Sequence, residues 1–341
     1  MTNRETAKHA FLTTCGWEGA ARVRIAGDAS NRSYDRLVGP EGRSAILMDA
    51  PPEKGEDVRP FIDAASYLSA HGLSAPQIIA SDIQFGFLLL EDLGDALFAR
   101  VVEKDPVIEP VLYAAATDVL CHLHQQPAPA IGTYDPKLMT DLACLAFDWY
   151  QMGIVGEVDQ PARASLAAKL NRLLTETFPT RPVLIQRDYH AENLLWLPDR
   201  TGVARVGLLD FQDALLGHPA YDLVSILQDA RRDVDTALAE EMIQRYVAAT
   251  NTDEDAFRFA YALQGLQRNL RIIGVFARLS LMHGKPHYID LLPRVFGHLE
   301  TDIAHPKLAE LGKILRSSLP PPTPENLNIL KEKCGTFQSQ S

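Results

Sequence analysis

The hydrophobic positions before residue 92 come in short runs separated by turn-forming residues. Short runs of apolar or alternating character, bounded by Gly, Pro, Asn and Asp, are typical of β-strands. Segments 4–15 and 61–71 instead have helical character, and the second repeats its apolar residues at intervals of three and four. The strands predicted are 21–25, 34–38, 44–48, 77–81 and 85–91. The pattern therefore predicts a small antiparallel sheet with one helix over residues 17–92.

After residue 92 the chain changes to long amphipathic stretches with little strand character. A hairpin-like pair, 193–197 and 203–209, is the exception. The helical stretches are 106–126, 138–152, 161–177, 220–230, 236–250, 253–283 and 288–302. Strands followed by helices are typical of an α+β fold. We predict an N-terminal lobe at 1–92, a larger, mostly helical C-terminal lobe at 93–318, and a proline-rich tail at 319–341 that runs over the surface.

Composition and charge exclude several classes of protein. The 341 residues are 46% hydrophobic and 23% charged, the balance of a water-soluble globular protein. A net charge of -11 argues against wrapping nucleic acid, because neutralising phosphates requires clustered Lys and Arg. The first residues contain no apolar run long enough for a signal peptide, and no later run reaches about 18 apolar residues, so we expect neither secretion nor membrane spanning. The cysteines show no metal-ligand spacing. We expect a cytoplasmic monomer that acts on small molecules, without nucleic-acid or membrane partners.

The strongest chemical signal lies in segments 186–193 and 207–213, which read QRDYHAEN and GLLDFQD. A kinase catalytic loop needs an Asp to accept the proton of the attacking hydroxyl. It also needs an Asn five residues later and a further Asp after the next strand to hold Mg²⁺. Asp188, Asn193 and Asp210 follow this order and spacing. Either half alone occurs by chance in many proteins, but the ordered pair predicts Asp188 as the catalytic base and Asn193 and Asp210 as metal ligands. Asp222, in the first turn of a predicted helix, is interpreted as structural support.

These segments resemble those of the aminoglycoside phosphotransferases and choline kinases, a group of protein-kinase-like small-molecule kinases. More narrowly, the chain is similar to the bacterial anomeric sugar kinases of cell-wall recycling. The segments that carry this second similarity are GDASNRSY, ILMDAPP, FLLLEDLGD and QRNLRIIGVFARLSLMHGKPHYIDLLPR. The resemblance covers nearly the whole chain. It implies a protein-kinase-like bilobal fold, ATP and Mg²⁺ as cofactors, and phosphorylation of N-acetylmuramate and N-acetylglucosamine at the C1 hydroxyl.

The resemblance also implies where ATP binds. Segment 27–33 is expected to cover the phosphates, since small residues let backbone N–H groups approach the oxygens. For GDAS taken alone, an ordinary turn is the alternative. Backbone groups where the lobes join are expected to bond adenine. The residues implicated are Gly27, Ala29, Ser30, Asn31, Arg32 and Ser33 in the loop, and Glu91 and Leu93 at the hinge.

Two positions depart from the pattern of the wider group. Kinase-like proteins generally place a Lys on the third strand to hold the phosphates, but the corresponding residue here is Met48. The cell-wall sugar kinases share this MDAPP run, and Arg32 is the candidate for the missing positive charge. Gln186 stands where the wider group has a His that braces the catalytic loop. Glutamine both donates and accepts hydrogen bonds, so we expect it to be tolerated.

The acceptor site is predicted from helical segment 263–280. Arg268 and Arg271 are candidates for binding the lactyl carboxylate of N-acetylmuramate, because Arg grips carboxylates bidentately. A solvated helix face is the alternative, although the apolar run RIIGVFARL favours a buried helix. Trp149 and Tyr150 are candidates for contact with the sugar, with core packing as the alternative.

Two other functions remain open from the sequence. A kinase for an aminoglycoside or an amino alcohol would share the catalytic residues, although its cationic acceptor would favour an acidic pocket over these arginines. A pseudokinase that only binds nucleotide is conceivable because the strand lysine is absent. The presence of Asp188, Asn193 and Asp210 together argues against a pseudokinase. The sequence leaves the preferred sugar and the choice between ATP and GTP undecided.

Overall fold

The structure, a computed structural model, describes residues 3–25 and 31–337. Its main sheet has five antiparallel strands in the order β1-β2-β3-β5-β4, and β6 pairs with β9 and β7 with β8. The strands are β1 (Ala21–Ile25), β2 (Ser33–Val38), β3 (Ser44–Asp49), β4 (Ile78–Asp82), β5 (Phe87–Glu91), β6 (Val183–Ile185), β7 (Leu194–Trp196), β8 (Val206–Leu208) and β9 (Leu215–Gly217). The five strands predicted before residue 92 match within two residues at each end. The antiparallel sheet is therefore confirmed.

The rest of the described chain is mostly helical, as the amphipathic stretches predict. The helices are α1 (Asn3–Thr14), α2 (Arg59–Ala70), α3 (Phe98–Lys104), α4 (Glu109–Leu123), α5 (Pro136–Ala143), α6 (Met152–Val155), α7 (Gln160–Thr177), α8 (Ala220–Leu227), α9 (Thr236–Thr250), α10 (Glu254–Leu281), α11 (Leu292–Ile303), α12 (Ala309–Ser318) and α13 (Pro324–Glu332). None of these helices has the length and apolar character needed to cross a lipid bilayer.

The first compact unit is assembled from two separate stretches of chain. Residues up to His122 and the segment Ala191–Ala214 belong to it. Phe11 of α1 packs with Leu47, Phe87 and Leu89 on one face of the sheet. The β7–β8 hairpin is tied in by backbone hydrogen bonds, from Leu208 N to Ser74 O at 2.9 Å and from Trp196 N to Ala96 O at 2.8 Å. These compact units divide the chain differently from the predicted lobes at 1–92 and 93–318. The lobe boundaries therefore stay a prediction.

The second compact unit is built around the 28-residue helix α10. It comprises Leu123–His190 and the chain from Leu215 onward. Most of α10 is buried, in agreement with the apolar run in its sequence. Gly274 lets α10 approach the chain at Leu145 closely, because an added Cβ would lie 2.3 Å from the Leu145 carbonyl carbon. Directly after Leu145, residues Ala146–Gln151 form a π-helical turn. The core of this unit thus tolerates only glycine at position 274.

The C-terminal segment is part of the core of the second unit. Thr323 caps α13 by accepting a hydrogen bond from Asn326 N at 3.3 Å, and Pro324 occupies the first helical position, where its missing N–H costs nothing. Leu330 is fully buried, and Lys333 Nζ donates to Gly153 O at 2.6 Å. The prediction that 319–341 runs over the surface is therefore wrong for Leu319 and Leu330, which enter the core, whereas the other residues of 319–337 are half-buried or exposed. The prolines end one helix and begin the next.

Candidate active site

The catalytic-loop segment 186–193 passes from the second unit to the first between His190 and Ala191. In the second unit, β6 ends at Ile185 and the backbone then turns sharply, with Arg187 at φ +72°. This left-handed conformation is unfavourable for a residue with a side chain. The buried carboxylate of Asp222 holds the turn, because it accepts hydrogen bonds from Gln186 N at 2.6 Å and Arg187 N at 3.0 Å. Asp222 therefore fixes the conformation of the backbone directly before Asp188.

Burial also sets the electrostatics of Asp222. It raises the pKa of this carboxyl to about 7, and the two backbone N–H groups act in the opposite direction. The position of Asp222 in the first turn of α8 agrees with the structural role interpreted from the sequence. Its two hydrogen bonds, to residues 36 and 35 positions earlier in the chain, show that Asp222 supports the turn at Gln186 and Arg187.

Replacing Asp222 by Ala is expected to lower the free energy of unfolding by about 2–6 kcal/mol. Each buried backbone N–H left without an acceptor costs about 1–3 kcal/mol, and this substitution leaves two. Urea unfolding followed by circular dichroism measures the change. Asp222→Asn keeps one acceptor oxygen and is expected to fall between wild type and Asp222→Ala. A stability loss below about 0.5 kcal/mol, the range of ordinary surface substitutions, would contradict the bracing role.

The Asp188 side chain lies among charged and polar groups of the second unit. His190, Arg268 and Arg271 are all within electrostatic range of its carboxylate. Burial lowers the pKa of His190 to about 4, so its imidazole is neutral at physiological pH. The structure thus brings the predicted base and the predicted acceptor arginines, 80 or more positions apart in the sequence, into one part of the second unit.

The two predicted metal ligands lie together in the first unit. The β7–β8 hairpin pairs Leu194 with Leu208, and Leu209 N continues the ladder by donating to Asn193 O at 3.0 Å. Asn193 Nδ2 is consequently 3.5 Å from Asp210 Oδ2, and Asp210 adopts φ +55°. Gln212 Nε2 donates to the other oxygen of Asp210 at 2.6 Å.

This ligand set suits Mg²⁺ better than a metal that needs a full protein cage. Among the described residues, no group of three or more His, Cys, Asp and Glu side chains is arranged to hold a metal ion. Mg²⁺ keeps several waters and is commonly bound through one or two carboxylates together with nucleotide phosphates. The side-chain oxygens of Asn193 and Asp210 are of the right type and number for that arrangement.

The predicted phosphate loop is only partly described. Gly27, Ala29 and Ser30 lie outside the described residues, whereas Asn31, Arg32 and Ser33 lie within them. Ser33 is the first residue of β2 and pairs with Asp49 across the ladder. Arg32 Nε donates to Glu56 Oε2 at 2.7 Å, and Asn31 N donates to Glu56 Oε1 at 3.1 Å. Glu56, which the sequence analysis missed, therefore ties the end of this loop to the chain before α2.

The geometry of β2 and β3 relates Arg32 to the missing strand lysine. Met48 is fully buried and pairs with Tyr34, so both side chains lie on one face of the sheet. Burial raises the pKa of Tyr34 to about 12, with the Arg32 guanidinium acting in the opposite direction and the Asp210 carboxylate in the same direction. Arg32 therefore lies in the same region of the first unit as Asp210. Lys8 also lies near the end of β3, but its ammonium forms an ion pair with Asp49, 2.8 Å from Oδ2.

The two hinge candidates are both held by other groups of the first unit. Glu91 Oε1 accepts from Arg200 Nη2 at 2.6 Å, and Glu91 N donates to Gln77 O at 2.8 Å. The side chain of Leu93 lies against Gly207 of β8. The N–H of Glu91 is thus engaged in the sheet, and adenine binding by this segment stays a prediction.

Of the two arginines predicted to bind the acceptor, Arg268 is buried and Arg271 is half-buried. Arg268 is 4% exposed, and its Nη1 donates to Gln228 O at 3.2 Å. Arg271 Nη1 donates to the hydroxyl of Tyr221 at 3.3 Å. Within the part of the chain that the structure describes, neither guanidinium forms an ion pair with a carboxylate, and Arg268 Nε has no hydrogen-bond partner. Burial lowers the pKa of the Arg268 guanidinium. The alternative of a solvated helix face is therefore wrong for this part of α10.

The two predicted aromatic contacts lie in core packing. Tyr150 is fully buried, its ring lies 5.1 Å from that of Phe296, and its hydroxyl donates to Pro320 O at 2.9 Å. Trp149 packs near Phe337, with ring centroids 6.3 Å apart. Both rings therefore take part in core packing, which is the alternative given above for these two residues. Contact of either ring with the sugar stays a prediction.

Known proteins are similar to this chain along most of its length. The profile of the phosphotransferase enzyme family matches residues 22–260. An N-acetylmuramate/N-acetylglucosamine kinase from Caulobacter vibrioides is 39% identical, over 91% of this chain and 95% of that protein. The fold matches that of choline kinase LicA from Streptococcus pneumoniae with a TM-score of 0.61, 12% identity, and coverage of 88% of this chain and 100% of that one. An ADP-bound aminoglycoside phosphotransferase, APH(2'')-Ib, matches with a TM-score of 0.58, 13% identity, and coverage of 88% and 97%.

These similarities settle the family and the fold class. The sheet followed by helices is the α+β, protein-kinase-like architecture of the choline kinases and aminoglycoside phosphotransferases. The Caulobacter relative exceeds 30% identity over nearly its whole length. The chain therefore belongs to the phosphotransferase enzyme family, as a relative of the N-acetylmuramate/N-acetylglucosamine kinases.

Proposed function

We propose that this protein transfers the γ-phosphoryl group of ATP to the anomeric C1 hydroxyl of N-acetylmuramate and N-acetylglucosamine. The observation that carries the proposal is the pair of guanidiniums within electrostatic range of Asp188, with Arg268 buried and Arg271 half-buried. The name of the Caulobacter relative, which includes both sugars, supports the same substrates. The ADP-bound neighbour supports a nucleotide as the phosphoryl donor.

The arginine pair is informative because buried charges are normally compensated by partners of opposite charge. Arg268 and Arg271 have only neutral hydrogen-bond partners, a carbonyl and a hydroxyl. An acceptor that brings its own carboxylate would supply a directly hydrogen-bonded anion and accept the N–H of Arg268 Nε, which has no partner among the described residues. N-acetylmuramate has such a lactyl carboxylate. A cationic aminoglycoside or amino alcohol would add positive charge to the same place, which disfavours those acceptors.

The proposed roles follow from the chemistry of the side chains and from the backbone that positions them. Asp188, held by the turn that Asp222 braces, orients the sugar hydroxyl and accepts its proton. Asn193 and Asp210 would hold Mg²⁺, which neutralises charge on the phosphates when bound. The transition state of phosphoryl transfer is loose, so positioning and charge neutralisation contribute more than the strength of the base.

Arg32 is proposed to be the cation that replaces the strand lysine, with Glu56 holding it in place. Replacing Glu56 by Gln is expected to raise the KM for ATP about tenfold, equivalent to about 1.4 kcal/mol, and to change the KM for the sugar little. The reason is that the neutral amide weakens the charge-assisted bond that fixes the guanidinium. Steady-state kinetics with varied ATP at saturating sugar measures the effect. Glu53→Gln is the matched control, since Glu53 is an exposed carboxylate three residues away. An equal rise in KM for both variants would contradict the role of Glu56.

The function itself is tested by ADP release from ATP and Mg²⁺ with N-acetylmuramate, N-acetylglucosamine, kanamycin, choline or no acceptor. Phosphorus NMR of the product then locates the phosphate. We expect turnover with the two sugars and a 1-phosphate product. Turnover only with kanamycin or choline would keep the phosphotransferase and overturn the sugar assignment. ATP binding without turnover on any acceptor would favour a pseudokinase.

A further inference from the structure

The loop between α8 and α9 contains a buried carboxylate with an unused oxygen. Asp229 is 1% exposed and follows directly on Gln228, whose carbonyl accepts the Arg268 bond. Asp229 Oδ1 accepts from Arg231 N at 2.8 Å and so shapes the loop. Among the described residues Asp229 Oδ2 has no hydrogen-bond partner. Buried carboxylate oxygens without donors are rare, since each is deprived of the water it would otherwise bind.

The surroundings of Asp229 are those of the proposed acceptor site. His190 of the catalytic loop is within electrostatic range of Asp229, Asp188 and Arg268. Arg231, whose backbone bonds Asp229, has its Nη1 3.5 Å from His190 Nε2. Asp229 therefore lies in the same part of the second unit as the proposed base and the acceptor arginines, although Asp229 is 41 positions after Asp188 in the sequence.

A neighbouring carboxylate shows what a structural role looks like in this loop. Asp233 is exposed and forms a two-pronged ion pair with Arg294, with Nε–Oδ1 and Nη2–Oδ2 distances of 2.6 and 3.1 Å. Asp229 has the opposite character, because it is buried and no cation donates to it within the described chain. Both an acceptor atom, Asp229 Oδ2, and a donor atom, Arg268 Nε, are thus left open in one region. A ligand with hydroxyls and a carboxylate satisfies both.

We propose that Asp229 binds the acceptor sugar, with Oδ2 accepting a hydrogen bond from a hydroxyl of the hexosamine ring. This rests on the proposed function and extends it, because a ring hydroxyl is common to both sugars whereas the lactyl carboxylate is not. Asp229 therefore sets affinity for the amino sugar as a class, and Arg268 separates the anionic member from the neutral one. Asp229, at the start of this loop, is then the residue of the loop that recognises the acceptor, and Asp233 is not part of that contact.

The test is a comparison of wild type, Asp229→Asn, Asp229→Ala and the control Asp233→Asn. In Asp229→Asn the amide oxygen must face Arg231 N, which puts an NH₂ donor where Oδ2 accepted. We expect the KM for both sugars to rise about 10- to 30-fold in Asp229→Asn and further in Asp229→Ala, with the KM for ATP within about twofold of wild type. The kcat of Asp229→Asn is expected to change less than its sugar KM. The control is expected to behave as wild type.

Calorimetric titration of each variant with N-acetylglucosamine measures sugar binding without turnover. Thermal unfolding identifies variants that are merely misfolded. Sugar KM and affinity within about twofold of wild type in a folded Asp229→Ala would overturn the role of Asp229 alone. A rise in the KM for ATP equal to that for sugar would also overturn it, since a structural defect is expected to affect both substrates. Wild type that neither binds nor phosphorylates either sugar would overturn this inference together with the proposed function.

Discussion

Replacing Asp188 by Ala is expected to lower kcat by about 10²- to 10⁴-fold while leaving ATP affinity largely unchanged. That range is the usual contribution of a positioned general acid or base. Asp188 is held by the turn at Arg187 and lies near the acceptor arginines, whereas the proposed metal ligands, Asn193 and Asp210, are untouched by the substitution. ADP release at saturating substrates gives kcat, and calorimetric titration with a nonhydrolysable ATP analogue gives nucleotide affinity.

Asp199→Ala is the matched control for this measurement. Asp199 is an exposed carboxylate at the tip of the β7–β8 hairpin, so its removal is expected to leave kcat unchanged. Near-wild-type turnover in Asp188→Ala would show that the catalytic base has been misassigned. A parallel loss of nucleotide binding would point to collapse of the loop rather than to a missing proton acceptor.

Replacing Arg268 by Lys is expected to lower kcat/KM for N-acetylmuramate about 10- to 100-fold and to change kcat/KM for N-acetylglucosamine by less than about threefold. A hydrogen bond to a charged group contributes about 1.5–3 kcal/mol, and Lys cannot reproduce the planar fork of Arg. Arg268 is enclosed and has no carboxylate partner in the described chain. Its contribution to kcat/KM is therefore expected with N-acetylmuramate, the sugar that carries a carboxylate. Kinetics with each sugar at saturating ATP measures the ratio.

Arg258→Lys on the same helix is the control for Arg268→Lys. Arg258 is paired with Glu254, at an Nε–Oε1 distance of 2.8 Å, and with Glu240, and it lies ten positions before Arg268 along the helix. We expect no change in the ratio of the two sugars for this variant. An equal loss on both sugars in Arg268→Lys would mean that Arg268 supports the fold of the site instead of binding the carboxylate.

Local sequence pattern was sufficient for the elements and for part of the site. Strand boundaries follow from alternation and turn residues, which are properties of a few neighbouring positions. The neighbourhood of Asn193 and Asp210 is also predictable, because a hairpin with a short turn must bring its two ends together. The burial of α10 follows from its apolar run. Each of these features can be predicted from the pattern of residues close together in the chain.

The remaining features depend on contacts between distant residues, which a single sequence does not reveal. The bonds from Asp222 to the catalytic loop and from Glu56 to the loop at Asn31 and Arg32 link segments that the sequence pattern leaves unrelated. The docking of α13 depends on a complementary surface near Gly153. One signal was nevertheless readable: the polar run Gln267-Arg268-Asn269 interrupts an otherwise apolar helix, which marks a buried polar site.

The first unit consists of two separate stretches of chain, which determines when it can finish folding during synthesis. Domains generally fold as units, with the N-terminal one first during synthesis. Here the N-terminal sheet is translated early, but the hairpin that bonds Ser74 and Ala96 belongs to Ala191–Ala214. The ribosome must therefore finish the intervening 123–190 segment of the second unit before the first unit has all its strands. The segment that completes the first unit carries both proposed metal ligands, so nascent chains that stop before residue 193 have neither ligand and those that stop before residue 210 lack Asp210.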